Sequence, residues 1–133
     1  MEKGRLKIYF ARSIRGQRVV DVELLQQSLS ALGEVLSEKF DFSTDASRDK
    51  LIFSTDRRML ESADVVIAEV SNPSLGVGYE LGIAESLKKP VLCLALEDLM
   101  VSSMIAGNPY FVVKHYRSIP EAVSLVSDFL ALH

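Results

Sequence analysis

The chain reads as an α/β domain, a doubly wound five-stranded parallel sheet with helices on both faces. Three observations carry that expectation. Short apolar, β-rich runs alternate with segments of helical period along all 133 residues. Asp64 to Val70 (DVVIAEV) is a near-continuous β-branched run, as expected of a central parallel strand covered on both sides. Parallel neighbours also need crossover helices, and those crossovers are almost always right-handed.

Taken in order, Leu6 to Ala11 (LKIYFA) is a buried strand that runs into a polar turn, Arg12 to Gly16. Val22, Leu25, Leu29 and Leu32 then recur at helical spacing, with Gly33 as the stop. Glu34 to Leu36 is a weak second strand, Asp41 to Asp49 a long loop, and Lys50 to Ala63 a helix. Asp64 to Val70 is the third strand. A helix near Tyr79 to Leu87 and the strand VLCLAL follow it. The last strand, Phe111 to Lys114, precedes a helix opened by the capping box Ser118 to Glu121, with an apolar face of Ala122, Leu125, Phe129 and Leu132. No internal repeat or linker interrupts the pattern, so residues 1–133 are expected to form one domain.

Composition narrows the function. With 48% hydrophobic and 25% charged residues the chain matches an ordinary globular protein. A net charge of -3 disfavours a broad basic surface for a nucleic-acid polymer, while leaving a single nucleotide open. Cys93 is the only cysteine and lies in an apolar run, so an intramolecular disulfide is excluded and an inert buried thiol is expected. No run approaches the ~20 apolar residues of a membrane span, and a cytoplasmic location is expected. Two histidines and one cysteine supply no zinc set, no Ser-His-Asp triad and no Cys-His pair.

In a doubly wound sheet, ligands bind beyond the carboxyl ends of the strands, where the strand order reverses. That directs attention to RSIRG after the first strand, SNPSLGVGYE after the third and EDLMVSSMIAGN after the fourth. RSIRG combines backbone N–H groups, a helix start and Arg15, which suit a phosphate but also make an ordinary turn. In the second loop Pro73, Gly76 and Gly78 precede Glu80, and small residues let backbone approach a ligand closely. Glu80 is placed in the first turn of its helix, where helix electrostatics alone account for a carboxylate. Asp56, on the preceding helix, is the second candidate carboxylate, and such a pair can divide nucleophilic and acid-base roles across a glycosidic bond. Tyr9 alternates with Ile8 and Phe10, so its hydroxyl either emerges in the crevice or is satisfied in the core.

Together YFARSIRG, the Asp56-x6-ADVVIAEV spacing, NPSLGVGYELG, KPVLCL and SSMI resemble the 2'-deoxynucleoside 5'-phosphate N-hydrolases of the nucleoside deoxyribosyltransferase-like superfamily. The resemblance covers nearly the whole chain apart from residues 41–49. It implies a flavodoxin-like sheet, a homodimer, and hydrolysis of a deoxynucleoside 5'-monophosphate to free base and 2-deoxyribose 5-phosphate without metal or organic cofactor. The family's nucleophile matches Glu80, its assisting aspartate Asp56 and its tyrosine Tyr9. Its phosphate-binding elements match Ser13, Ile14, Arg15, Gly16 and Ser74, and the serine offered by the neighbouring subunit matches Ser102. Phe10, Ala11, Arg12, Lys39, Gly76, Ser103 and Met104 complete the expected substrate-contact set. Arg12 stands where the family usually has glycine, Lys39 where histidine is often found, and the helix after RSIRG is about two residues shorter than in animal members. A deoxyribosyltransferase and a non-catalytic nucleotide sensor are the competing readings.

Overall fold

The computed structural model describes residues 5–13, 20–37 and 48–133. Among these residues, strands β1 (Lys7–Arg12), β2 (Glu34–Leu36), β3 (Val65–Glu69), β4 (Val91–Leu96) and β5 (Val112–Tyr116) form one sheet in the order β2-β1-β3-β4-β5. Every pairing is parallel. The helices are α1 (Val22–Leu29), α2 (Asp49–Ser62), α3 (Leu75–Ser86), the short α4 (Ser103–Ala106) and α5 (Ile119–Leu130). The flavodoxin-like order places the reversal between β1 and β3, the two strands whose carboxyl ends carry RSIRG and SNPSLGVGYE.

Period-two alternation divides the sheet residues between two cores. Ile8, Phe10, Val65 and Ile67 pack against Leu25 and Leu29 of α1 and Ala122, Val126 and Phe129 of α5. Tyr9, Ala11, Val66 and Ala68 pack on the other face against Leu60 of α2 and Val77, Leu81 and Ala84 of α3. All five residues of β3 are buried, as a strand covered on both faces requires. Cys93 is buried, and burial pushes its thiol up to about 12, which fits an inert core residue. No helix among the described residues is long and apolar enough to cross a membrane.

Several boundaries differ from the sequence expectation, each for a local reason. α3 starts at Leu75 rather than near Tyr79, because the Ser74 side chain caps it by accepting from Val77 N at 3.2 Å. That cap starts the helix despite the poor helix propensity of Gly76 and Gly78. α1 ends at Leu29, so Leu32 reaches the core from the following turn. Gly33 is required by crowding rather than as a helix stop, since a Cβ there would lie 2.7 Å from the Leu6 carbonyl oxygen. β5 extends to Tyr116, which pairs in register with Leu96. α5 ends at Leu130, leaving Leu132 78% exposed, and Val126 takes the buried place on its face.

The end of α3 contains the one non-glycine residue with positive φ among those described, Lys88 at 60°. Lys88 N donates to Glu85 O at 3.0 Å and Lys89 N to Ala84 O at 2.9 Å, the paired bonds of a Schellman termination. Lys89 Nζ then donates to the Glu61 and Ala63 carbonyls at 2.7 and 2.8 Å, closing the end of α2. An L-residue in the left-handed region costs about 1 kcal/mol that glycine avoids, part of which is offset by glycine's greater chain entropy. Lys88→Gly is therefore expected to stabilise the fold by roughly 0.5 kcal/mol. A lower chemical-denaturation midpoint than the parent would refute that assignment.

Candidate active site

A cavity of about 570 Å³ opens at the carboxyl ends of β1 and β3. Its floor is Arg12 and Ser13 at the end of β1, one wall is α2, and the other is the β3–α3 turn with the first half of α3. Helical period decides which residues face it. On α2, Asp49, Ile52, Phe53, Asp56 and Leu60 recur at three- or four-residue intervals, so the stripe that carries Leu60 into the core carries Asp56 to the cavity one turn earlier. On α3, Gly76, Glu80 and Ile83 form the corresponding stripe. Two carboxyl groups from adjacent helices thus share one pocket, whose volume lies within the range of small-ligand sites.

Glu80 sits in the second turn of α3, not its first, because the helix begins five residues earlier at Leu75. The helix macrodipole, which acts over the first turn, no longer accounts for it. What holds it is Tyr9: the hydroxyl donates to Glu80 Oε2. Tyr9 is 2% exposed, so the strand alternation that buries its ring also aims its one polar atom at the carboxyl group. Burial pushes the Glu80 carboxyl up to about 7. The Tyr9 donor is positioned to favour the ionised form against that burial.

The remaining expected residues are distributed as follows. Arg12, Ser13, Ser74 and Gly76 line the cavity. Arg12 also donates from Nε to Gln26 Oε1 at 3.3 Å, so part of its guanidinium turns toward α1. Phe10 is buried in the opposite core and Ala11 in the core beneath the cavity, so neither offers a side chain to the pocket. Ser102 caps α4 by accepting from Met104 N at 3.3 Å. Ser102, Ser103 and Met104 are exposed and lie outside the cavity of their own chain. Ile14, Arg15, Gly16 and Lys39 lie outside the described residues.

Sequence reading missed the cavity's aromatic rim. Phe53 on α2 and Tyr79 on α3 are 54% and 60% exposed, with ring centroids 6.5 Å apart. Phe53 falls three residues before Asp56, and that spacing was the available signal. Among the described residues no group of three or more His, Cys, Asp or Glu could hold a metal ion.

Residues 8–111 match the profile of the nucleoside 2-deoxyribosyltransferase family. The 5-hydroxymethyl-dUMP N-hydrolase of Danio rerio is 39% identical over 125 residues, spanning 84% of this chain and 87% of its own. The human protein of the same name is 42% identical over 118 residues, spanning 80% of this chain and 67% of its own. Among solved structures, a 2-deoxyribosyltransferase from Bacillus psychrosaccharolyticus superposes with a TM-score of 0.70 at 21% identity, over 88% of this chain and 90% of that one. That last likeness concerns the fold.

The position of Glu80 has a thermodynamic consequence. Its pKa rises from 4.5 to about 7 on folding, so the folded state binds the proton more tightly. The associated stability is fully present below about 4.5 and is lost as pH rises through about 7. Glu80→Gln mimics the protonated form. Relative to that variant, the parent is expected to lose about 3 kcal/mol between pH 4 and 8. Urea unfolding across that range measures the difference, and a pH-independent gap would contradict the burial of this carboxyl.

Proposed function

Because the chain belongs to the nucleoside 2-deoxyribosyltransferase family, we propose that it hydrolyses the N-glycosidic bond of 2'-deoxynucleoside 5'-monophosphates to free base and 2-deoxyribose 5-phosphate. The observation that carries this reading is the Tyr9–Glu80 hydrogen bond at the wall of a cavity that Asp56 also lines. Two vertebrate relatives that align over most of this chain are named for N-hydrolysis of 5-hydroxymethyl-dUMP. The reaction needs no metal or organic cofactor.

In this scheme the substrate phosphate rests between Ser13 and Ser74, with Ile14, Arg15 and Gly16 completing its cradle. Tyr9 occupies Glu80 Oε2, which leaves Oε1 to attack C1'. The C1'–N bond breaks as the C1'–O bond forms, the bonding pair leaves with the base, and Asp56 supplies the proton the base takes up. Water then attacks C1' and gives its proton to Asp56, and the Glu80 carboxylate is regenerated. Without a 2'-hydroxyl the oxocarbenium-like transition state forms more readily, and the phosphate contacts orient C1' against the nucleophile.

The working form is a homodimer in which Ser102 reaches the phosphate of the neighbouring site. Support comes from α3. Gly78 and Gly82 stand one turn apart, and beyond their own helix backbone and chain neighbours no heavy atom lies within 4 Å of a Cβ at either position, while Leu75 is 97% exposed. Two glycines that packing within the chain does not demand weaken a helix by about 1 kcal/mol each. A partner approaching closely against α3 explains their presence, and Met100 and Met104, beside Ser102 in the chain, are likewise 96% and 83% exposed.

The nucleophile must be ionised, so kcat/KM is expected to fall as pH drops through about 7. Glu80→Ala is expected to abolish base release from dGMP while nucleotide binding persists, because the phosphate contacts are untouched. Chromatography of the products with a second free base present separates the readings. Exchange product in excess of deoxyribose phosphate would mark a transferase, and binding without base release from any deoxynucleotide would mark a sensor. For the dimer, sedimentation at assay concentration is expected to give twice the chain mass, with Ser102→Ala raising KM roughly tenfold. An active monomer would exclude the shared site.

A further inference from the structure

Glu69 ends β3 with its side chain on the face opposite the cavity, 3% exposed and outside the cavity lining. An acid in the middle strand of a parallel sheet runs against the apolar pattern that buried strands require. Burial raises its pKa, and both carboxyl oxygens are hydrogen-bonded. Oε1 accepts from the backbone N–H of Ser71 at 2.6 Å, and Oε2 accepts from the hydroxyl of Tyr116. The Ser71 hydroxyl oxygen in turn accepts from Leu96 N at 2.9 Å. Leu96 and Tyr116 are register partners at the ends of β4 and β5. One carboxyl and one hydroxyl therefore tie together the carboxyl ends of three strands.

The chain that leaves this knot builds the cavity wall. Val70 N is still in the sheet, donating to Leu94 O at 2.8 Å, and Ser71 is fixed by Glu69. Three residues later Ser74 caps α3, and Glu80 follows on that helix. Only Asn72 and Pro73 separate Ser71 from the Ser74 cap, so the direction of Ser71 bears directly on where Ser74 stands at the start of α3. We propose that Glu69 is a positioning residue of this active site, holding the β3–α3 turn so that Ser74 meets the substrate phosphate and Glu80 meets C1'. This inference rests on the hydrolase reading above.

Three variants test it. Glu69→Leu keeps volume and removes both acceptors. Glu69→Gln keeps an acceptor for Ser71 N–H and offers its amide N–H to the Tyr116 oxygen. Tyr116→Phe removes one donor and keeps the ring. Calorimetric binding of dGMP and of phosphate-free deoxyguanosine is compared for each, together with kcat on dGMP and the thermal midpoint. Glu69→Leu is expected to bind dGMP roughly tenfold more weakly, as for loss of one hydrogen bond to a charged group, and deoxyguanosine as the parent does. Its kcat is expected to fall as well, and Glu69→Gln to recover both. A variant that loses thermal stability yet binds dGMP and turns it over like the parent would reduce Glu69 to a core residue, as would equal weakening of both ligands. Should Glu69→Leu fail to fold, Tyr116→Phe carries the same comparison, with a smaller dGMP-selective loss expected and parental binding overturning the proposal. The calorimetric titrations are made in a Glu80→Ala background, which binds nucleotide without releasing base, so a result on Glu69 stands apart from whether base release occurs.

Discussion

A carboxyl group largely removed from water is costly unless a donor meets it, and for Glu80 the donor is a tyrosine on another element. The Tyr9–Glu80 bond holds only if β1 and α3 keep a fixed distance and rotation. Much of the packing on that face of the sheet serves this requirement. Val77, Leu81 and Ala84 seat α3 on the same apolar layer that buries the Tyr9 ring, so the contact that orients the acid is also a contact of the core. Loosening that layer would lower the stability of the domain and the order of the site together.

The topology explains why the pocket is open where it is. β1 has β2 on one side and β3 on the other, and the helices that follow β1 and β3, α1 and α3, pack on opposite faces of the sheet, so a crevice remains at the strand ends between them. α2 and α3 cover the same face and bring their polar stripes to that crevice, each continuing an apolar stripe that is already committed to the core. The reaction proposed here requires two carboxyl groups, and this arrangement supplies both at no cost to the packing below them. The β3–α3 turn is held at its start by Glu69, through the backbone N–H of Ser71.

The strand and helix order was legible because each core face leaves a periodic trace in the chain. Asp64 to Val70 announces a strand buried on both sides, and Leu25 and Leu29 announce a helix with one buried stripe. The family could be recognised from the motifs around Tyr9, Asp56 and Glu80, and residues 8–111 match it. Boundaries were less legible where one side chain overrides propensity, as the Ser74 cap does by starting α3 ahead of two glycines. Leu132 was misplaced because spacing continues past the residue at which a helix happens to stop. Glu69 gave a trace only as an acid in an apolar run, and its partners Ser71 and Tyr116 stand two and 47 residues away.

The sequence by itself determined the alternation of elements, the two apolar faces of the sheet and the identity of the residues able to do chemistry, since all three depend on local period or residue type. Tertiary structure alone decided that Glu80 belongs to the second turn of α3 and draws its hydrogen bond from Tyr9, 71 residues earlier in the chain. It also decided that Asp56 shares a cavity with Glu80, while Ser102, Ser103 and Met104 remain outside the cavity of their own chain. The reason is physical. Burial and hydrogen bonding of a carboxyl group are set by what the fold brings beside it, and parallel strand order brings together residues that no local pattern relates.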